Sequence, residues 1–213
     1  MKVLITGCAG FIGFHLASRL LEKKKYQIYG IDNLNTYYDL KLKEDRLKIL
    51  KEKKYFKFKK IDITNTPALN KLFKLKFDYV IHLAAQAGVR YSIEYPEQYL
   101  SSNIIGHYNL IDACRKNSIK HFMYASSSSV YGLSKEKFLK ENQITDYPVS
   151  FYAASKKTNE VVTESFSKIY KLPATAIRFF TVYGPYGRPD MAPHLFTKAI
   201  VEKKKIKLLN YGN

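Results

Sequence analysis

The chain reads Gly7-Cys8-Ala9-Gly10-Phe11-Ile12-Gly13 between the apolar run Val3-Leu4-Ile5 and an amphipathic segment that begins at Phe14. This order predicts a strand, a phosphate-binding turn and a helix. The first glycine permits the tight turn, the second lets the backbone approach a pyrophosphate, and the third lets the helix pack against the strand. The positive end of the helix dipole would then face the anion. The residues predicted to bind a dinucleotide here are Gly7, Gly10, Phe11, Ile12 and Gly13.

An acidic residue follows the second predicted strand. This strand covers residues 26–31 and leads into Asp32, at about the spacing expected for a carboxylate that binds the adenosine ribose. The same carboxylate would repel a 2′-phosphate, and its neighbours Asn33 and Leu34 bring no positive charge. The sequence therefore predicts that the cofactor is NAD, with Asp32 and Asn33 among its contacts.

Strand-like apolar runs alternate with segments of helical periodicity along the chain. Strands are predicted near residues 2–6, 26–31, 55–61, 78–82, 121–125 and 174–179. Helices are predicted near residues 12–24, 40–53, 67–75, 96–117 and 151–170. The alternation predicts an α/β fold, a doubly wound parallel sheet of the Rossmann type, over residues 1–180. Within residues 181–213, a helix is predicted near 192–204 and a strand near 206–211.

Polar and small residues follow the third and fourth predicted strands, at the sheet edge where ligands bind in this fold. Asp62, which precedes Ile63, either accepts a hydrogen bond from an adenine amino group or caps the next helix. The tract Leu83-Ala84-Ala85 either lets a cofactor lie close to the backbone or serves packing alone. We predict that Asp62, Ile63, Leu83, Ala84 and Ala85 contact the cofactor.

Tyr152 and Lys156 are four residues apart at the start of a predicted helix, so their side chains share one helix face. A nearby cation favours the phenolate, and a tyrosine general base needs a pKa lowered from about 10 toward the working pH. A surface tyrosine and lysine one turn apart is the alternative, since the chain holds 18 tyrosines. The serine tract 126–129, at the end of the fifth predicted strand, favours the catalytic interpretation because a hydroxyl there can reach the same substrate oxygen.

Composition excludes some classes of protein and leaves others open. The formal net charge is +18, but the lysines are dispersed, which favours a solvated surface over a nucleic-acid site. No run approaches the roughly 18 apolar residues of a membrane span, and Met1 adjoins the first strand, so we expect a cytoplasmic protein without a signal peptide. Cys8 and Cys114 have no metal-ligand spacing and are expected to be reduced, and no metal site is predicted.

The combined motifs resemble the extended short-chain dehydrogenase/reductase family, which includes NAD-dependent epimerases and dehydratases. The motifs that carry the resemblance, over nearly the whole chain, are residues 6–13, His82-Leu83-Ala84-Ala85, the serines 126–129 with Val130-Tyr131-Gly132, Tyr152 to Lys156, and residues 178–185. Within the family, residues 85–92 and 181–192 most resemble the UDP-glucuronate 4-epimerases.

The resemblance implies an NAD-dependent isomerase that interconverts UDP-glucuronate and UDP-galacturonate through a 4-keto intermediate. Tyr152 would remove the proton of the sugar O4, assisted by Lys156 and by Ser127, whose distance from Val130-Tyr131-Gly132 matches the family's Ser/Thr position. Family members that eliminate water carry Asp-Glu in place of Ser128-Ser129. UDP-glucuronate decarboxylases commonly carry Glu in place of Ser129.

A glucuronate carboxylate needs hydrogen-bond donors, and an arginine fork suits it. The family pattern assigns this role to Thr181 and Arg188, with Arg90 and Ser128 nearby. For Arg188 an ordinary loop arginine or a diphosphate contact is the alternative. UDP-galactose 4-epimerases usually carry Asn in place of Thr181.

Three further expectations rest on the resemblance. Family members dimerise through a four-helix bundle, so we expect a homodimer that uses residues 96–117 and 151–170. They also continue after the position of Asn213 for a substantial segment that completes a smaller substrate lobe, so residues 181–213 are expected to form a substrate-binding loop and the incomplete beginning of that lobe. We therefore expect a C-terminally truncated chain in which NAD binding survives better than turnover. The remaining alternatives are a UDP-galactose 4-epimerase, a UDP-glucuronate decarboxylase, and a non-catalytic NAD-binding regulator.

Overall fold

The computed structural model describes residues 1–206, so the strand predicted at 206–211 lies outside the described residues except for Ile206. The strands are β1 (Lys2–Thr6), β2 (Gln27–Asp32), β3 (Phe56–Lys60), β4 (Tyr79–His82), β5 (His121–Ser127) and β6 (Ala174–Phe179). The helices are α1 (Phe11–Glu22), α2 (Leu40–Lys51), α3 (Thr66–Phe73), α4 (Tyr91–Glu94), α5 (Pro96–Tyr99), α6 (Gly106–Lys116), α7 (Phe151–Tyr170) and α8 (Ala192–Val201). A π-helical segment, Leu100–Ile105, joins α5 to α6, and a 3-10 turn, Ser128–Tyr131, follows β5.

The strands form one parallel sheet in the order β3-β2-β1-β4-β5-β6. The strand order reverses beside β1, because β2 and β4 are its two neighbours and their connections run to opposite sides. In register, Thr6 at the end of β1 pairs with Ile31 of β2 and with His82 of β4. This sheet confirms the predicted doubly wound fold and places the ends of β1 and β4 at the crevice where such sheets bind ligands.

The alternation of side chains along β1 divides the core between the two faces of the sheet. Val3 and Ile5 pack with residues of α1 and α2, whereas Leu4 packs with residues of α3 and α6. Both faces are therefore covered by helices, which explains why the central strands are continuous apolar runs. The free thiols of Cys8 and Cys114 are buried, one in each cluster, as expected for reduced cysteines.

The structure differs from the sequence prediction in several places. β5 continues to Ser127, so two serines of the tract belong to the strand itself. Neither the short helix α4 nor the π-helical segment was predicted. Arg46 and Lys43 of the lysine-rich helix α2 are buried, although the dispersed lysines were predicted to lie on a solvated surface.

The residues after β6 leave apolar side chains exposed. None of the residues of α8 is buried, and Leu195, Phe196 and Ile200 are 49%, 40% and 67% exposed. Ile206 is 37% exposed. As far as the structure describes the chain, none of its helices is long and apolar enough to cross a membrane.

Candidate active site

A cleft with a volume of about 350 Å³ opens at the carboxyl ends of the parallel strands. The glycine turn after β1, the end of β2, the segment after β4, the serines at the end of β5, the start of α7 and the segment after β6 all line it. Every site residue predicted from the sequence lines this cleft except Asp62 and Arg90. Six segments that are distant in sequence therefore meet at one place.

The glycine turn has no room for side chains at two of its positions. Gly7 has φ +70°, and a Cβ there would lie 2.7 Å from the Ala84 nitrogen. A Cβ on Gly13 would overlap the Gly7 carbonyl oxygen. Gly10 is the N-cap of α1 and supplies no side-chain acceptor, and the first turn carries no acidic residue. The N–H groups at this helix start are therefore suited to bind an anion such as a diphosphate.

Asp32 ends β2 beside this turn and lines the cleft. Its carboxylate accepts hydrogen bonds from the backbone N–H groups of Ala9, at 3.1 Å, and Leu34, at 2.9 Å. Burial raises the pKa of Asp32, while these two hydrogen bonds and the charges of Lys43 and Arg46 oppose the rise. The carboxylate thus joins the glycine turn to the end of β2, at the position that the sequence assigned to ribose binding.

Positive charge near Asp32 comes from α2 rather than from the residues that follow Asp32 in sequence. Lys43 lines the cleft, and its Nζ donates to the backbone oxygen of Asn35 at 2.7 Å and to the Asn35 side chain at 2.6 Å. Arg46 lies behind the cleft, fully buried, and donates to the Ala9 carbonyl oxygen at 2.8 Å and to the Tyr38 hydroxyl at 2.7 Å. Neither cation was predicted from the sequence, because both are distant from Asp32 along the chain.

The two predicted residues outside the cleft have other surroundings. The Asp62 carboxylate accepts hydrogen bonds from Asn33 Nδ2 at 2.8 Å and from the N–H and hydroxyl of Thr64 at 2.8 and 2.7 Å. It does not cap α3, whose N-cap is Asn65. Arg90 is exposed just before α4 and does not line the cleft.

Tyr152 and Lys156 lie in the first two turns of α7, and Ser150 caps that helix by accepting a hydrogen bond from the Ala153 N–H at 3.1 Å. Lys156 Nζ donates to the Ala125 carbonyl oxygen of β5 at 3.0 Å and lies 6.0 Å from the centre of the Tyr152 ring. Burial lowers the pKa of Lys156 to about 8. Burial raises the pKa of Tyr152, whereas the Ser127 hydroxyl and the charge of Arg188 act to lower it.

The serines at the end of β5 face different partners. Ser127 Oγ accepts a hydrogen bond from the Ser129 N–H at 3.1 Å and donates to Ser129 Oγ at 3.2 Å. Ser126 Oγ instead donates to the Glu160 carboxylate at 2.5 Å. The hydroxyl that lowers the pKa of Tyr152 is that of Ser127.

A buried ion pair supports this end of the cleft, and the sequence analysis did not identify it. The Arg178 guanidinium of β6 binds Glu160 of α7 with two hydrogen bonds of 2.9 Å and stacks 4.9 Å from the centre of the Tyr131 ring. The two side chains are 17% and 12% exposed. The sequence feature that could have placed Glu160 near the cleft is its position four residues after Lys156 on the same helix, because residues with this spacing share one helix face.

We predict that Glu160→Gln lowers the free energy of unfolding by about 3 kcal/mol, because it leaves the buried Arg178 charge without its partner. Arg178 holds the pKa of Glu160 below its ordinary value despite burial. The stabilising contribution is therefore present above the unfolded-state pKa of about 4.3 and is lost as the pH falls through the lower folded-state pKa. Urea unfolding at pH 7 measures the effect. A loss no greater than that of Glu164→Gln, which breaks an exposed ion pair with Lys168, would contradict this prediction.

The segment after β6 brings Arg188 and Thr181 to the cleft. Thr181 is exposed at its edge, and Arg188 is mostly buried. Arg188 Nε and Nη2 donate to the two carboxylate oxygens of Asp190 at 3.0 and 2.5 Å. Ser128 lines the cleft as well. The donors predicted for a carboxylate, apart from Arg90, therefore lie in the same cleft as Tyr152.

The chain is similar to proteins of known class over its whole length. The model of the NAD dependent epimerase/dehydratase family matches residues 3–213. Protein CapI of Staphylococcus aureus is 50% identical over 214 residues, which are all of this chain and 64% of that protein. UDP-glucuronate 4-epimerase 4 of Arabidopsis thaliana is 46% identical over 215 residues, which are all of this chain and 49% of that protein.

A solved structure supports the same relation. The UDP-glucuronic acid 4-epimerase of Bacillus cereus, solved in complex with UDP-glucuronic acid and NAD, superposes with a TM-score of 0.91 at 38% identity. The superposition covers 96% of this chain and 64% of that one. The chain thus spans 49% to 64% of the length of these three proteins.

Proposed function

The chain belongs to the NAD dependent epimerase/dehydratase family, and on that premise we propose that it acts as a UDP-sugar 4-epimerase that interconverts UDP-glucuronate and UDP-galacturonate. The proposal rests on one observation. The residues that line the cleft beside the glycine turn include Ser127, Tyr152, Lys156 and Arg188. The first three are the groups needed to move a proton at a sugar hydroxyl, and the fourth is a donor for a sugar carboxylate.

The cleft fits NAD, the cofactor of this family. Gly7 and Gly13 have no room for a side chain, Gly10 is the N-cap of α1 where the backbone would meet a diphosphate, and Asp32 lines the cleft where the adenosine ribose would bind. Ile63, Leu83 and the alanines that follow add apolar lining. When bound, NAD supplies an acceptor for hydride from the sugar C4 and later returns that hydride to the other face of the same carbon.

The protein residues move the proton that accompanies this redox change. Tyr152 accepts the proton of the sugar O4, and Ser127 donates a hydrogen bond to the same oxygen. Lys156, with a pKa of about 8, remains largely protonated at neutral pH and stabilises the phenolate. Returning the proton from Tyr152 to O4 after the sugar has turned over completes inversion at C4.

Holding the carboxylate favours epimerisation over loss of carbon dioxide. A β-keto acid decarboxylates when its carboxylate is free to rotate into the orientation for cleavage, so donors that fix it protect the 4-keto sugar. We assign this role to Arg188, Thr181 and Ser128. Ser128 and Ser129 also supply hydroxyls where a dehydratase needs an additional acid and base. Arg90 does not line the cleft and is not included in this assignment.

The substrate is tested by comparing the turnover of UDP-glucuronate, UDP-galactose and UDP-glucose in the presence of NAD. The assays use this chain and an extended chain, in which the remaining C-terminal segment of the S. aureus relative follows residue 213. We expect UDP-galacturonate from UDP-glucuronate and at least tenfold slower turnover of the neutral sugars. Faster turnover of UDP-galactose would identify a UDP-galactose 4-epimerase, and a UDP-pentose product would identify a decarboxylase.

We also propose that the protein forms a homodimer through α6 and α7. Exposed apolar side chains on these helices, Tyr108 at 50%, Val161 at 58% and Ile169 at 66%, support it. We predict twice the chain mass by light scattering, and the chain mass for the double substitution Val161→Asp and Ile169→Asp. A monomeric unsubstituted protein would contradict this prediction.

A further inference from the structure

The guanidinium of Arg188 has two edges that can each bind a carboxylate, and only one of them is occupied. Asp190 takes the edge formed by Nε and Nη2, with hydrogen bonds of 3.0 and 2.5 Å. Among residues 1–206, the hydrogen bonds of the Arg188 guanidinium to a carboxylate use Nε and Nη2 and leave Nη1 free of them, with the Tyr37 hydroxyl as a further neighbour of the guanidinium. The edge formed by Nη1 and the second N–H of Nη2 is therefore open to a second carboxylate. Arg188 itself lines the cleft, whereas Asp190 does not.

Asp190 is itself held in place. The Tyr37 hydroxyl donates to Asp190 Oδ2 at 3.0 Å. Burial and the neighbouring Asp190 raise the pKa of Tyr37 to about 12, so the phenol keeps the proton that it donates. The Tyr37 ring packs 4.9 Å from that of Tyr91. A Cβ on Gly88, whose φ is +103°, would overlap the Tyr37 hydroxyl, so this glycine leaves the space that Tyr37 occupies.

The chain on the other side of Arg188 is anchored as well. Arg46 Nη2 donates to the Tyr186 carbonyl oxygen at 2.6 Å, and its Nη1 donates to Ala9 in the glycine turn. His15 Nε2 lies 2.8 Å from the Pro185 carbonyl oxygen. The backbone before Arg188 is thus held by Arg46 and His15, and the hydrogen bonds to Asp190 orient the Arg188 guanidinium.

From this geometry we propose that Asp190, held by Tyr37, is the positioning residue that directs the free edge of Arg188 into the cleft and so sets the preference for UDP-sugars that carry a carboxylate. The inference rests on the proposed function and adds two residues to it. Asp190 also repels an incoming carboxylate. That carboxylate would bind the opposite edge of the guanidinium, however, so it lies closer to the positive charge of Arg188 than to Asp190.

The test is the ratio of the dissociation constants of UDP-glucose and UDP-glucuronate, measured by calorimetry on the NAD-saturated protein, as this chain and as the extended chain. The ratio is insensitive to a general loss of structure, because such a loss weakens the binding of both UDP-sugars to the same extent. We expect the unsubstituted protein to prefer the acid at least tenfold. Asp190→Asn should reduce the preference about tenfold, because an amide presents N–H groups to one of the two Arg188 donors. Tyr37→Phe should reduce it about threefold.

A double substitution separates positioning from independent contacts. If Tyr37 acts through Asp190, the double variant should lose no more preference than Asp190→Asn alone. Asp45→Asn, which removes an exposed carboxylate paired with Lys41, is the matched control and should leave the ratio unchanged. We further expect Asp190→Asn to form more UDP-pentose relative to UDP-galacturonate, because Arg188 in this variant would hold the carboxylate of the substrate less firmly.

The outcomes that overturn the inference differ from those that overturn the proposed function. Unchanged or increased preference for the acid in Asp190→Asn would show that Asp190 does not position Arg188, and additive losses in the double variant would show that Tyr37 does not act through Asp190. An unsubstituted protein without preference for the acid would instead refute the proposed substrate, and the inference with it.

Discussion

Replacing Tyr152 with phenylalanine is expected to lower kcat about a thousandfold, because the variant keeps the ring and loses the group that accepts the O4 proton. Proton transfer by a positioned side chain contributes about 10²- to 10⁴-fold to turnover. The ring lies over Lys156 and 6.0 Å from Tyr99, so phenylalanine fills the same space. NAD affinity should change less than about threefold. The rate of UDP-galacturonate formation by the extended chain, together with the dissociation constant of NAD, measures the effect.

A matched control is Tyr147→Phe, which removes a hydroxyl from a side chain that is 84% exposed. Full activity in Tyr152→Phe would show that Tyr152 is not the base. Full cellular function of a Tyr152→Phe protein that has lost turnover would favour the NAD-binding regulator instead.

Gly13→Ala is expected to reduce NAD affinity about a hundredfold and the free energy of unfolding by roughly 2 kcal/mol. A Cβ at this position would overlap the Gly7 carbonyl oxygen and lie 2.9 Å from the Cys8 Cα. These are backbone atoms, so either the turn opens or α1 moves away from β1, and overpacking of this kind costs about 1–3 kcal/mol. Calorimetric titration with NAD and urea unfolding measure the two effects.

Gly10→Ala provides the contrast. A Cβ there would lie 3.1 Å from the Gly7 carbonyl oxygen, a milder contact, but it stands where the backbone would approach a pyrophosphate. This variant should lose NAD affinity while keeping most of its stability. If Gly13→Ala bound NAD as tightly as the unsubstituted protein, the glycine turn would not be the phosphate-binding element.

The fold was predictable from the sequence because hydrophobic periodicity determines the elements of a doubly wound sheet. The predicted helix over 151–170 and strand over 174–179 agree with α7 and β6 at both ends. Boundaries were less accurate where polar residues continue a strand, as at Ser126 and Ser127. The π-helical segment over 100–105 was not predicted, since a change in hydrogen-bond spacing within a helix leaves no clear mark on the apolar pattern.

The positions of single cations in α2 could not be predicted in the same way. Lys43 and Arg46 stand in a stretch so rich in lysine that it resembles a solvated face, yet Arg46 is fully buried. Its burial depends on carbonyl oxygens at Ala9 and Tyr186, which are 37 and 140 residues away in sequence. Only the tertiary structure brings these groups together. Arg90 shows the opposite case, because the motif that contains it suggested a substrate contact and the folded chain leaves it exposed.

The proposed epimerisation requires oxidation and reduction at the sugar C4, and proton NMR of UDP-glucuronate deuterated at that carbon tests this step directly. The substrate is incubated with NAD and either this chain or the extended chain. We expect the anomeric signal of UDP-galacturonate, with deuterium retained at C4 because the same hydrogen leaves and returns. Product from the extended chain alone would show that turnover requires the added segment. No product from either protein, or a UDP-pentose signal in place of UDP-galacturonate, would refute the proposed epimerisation.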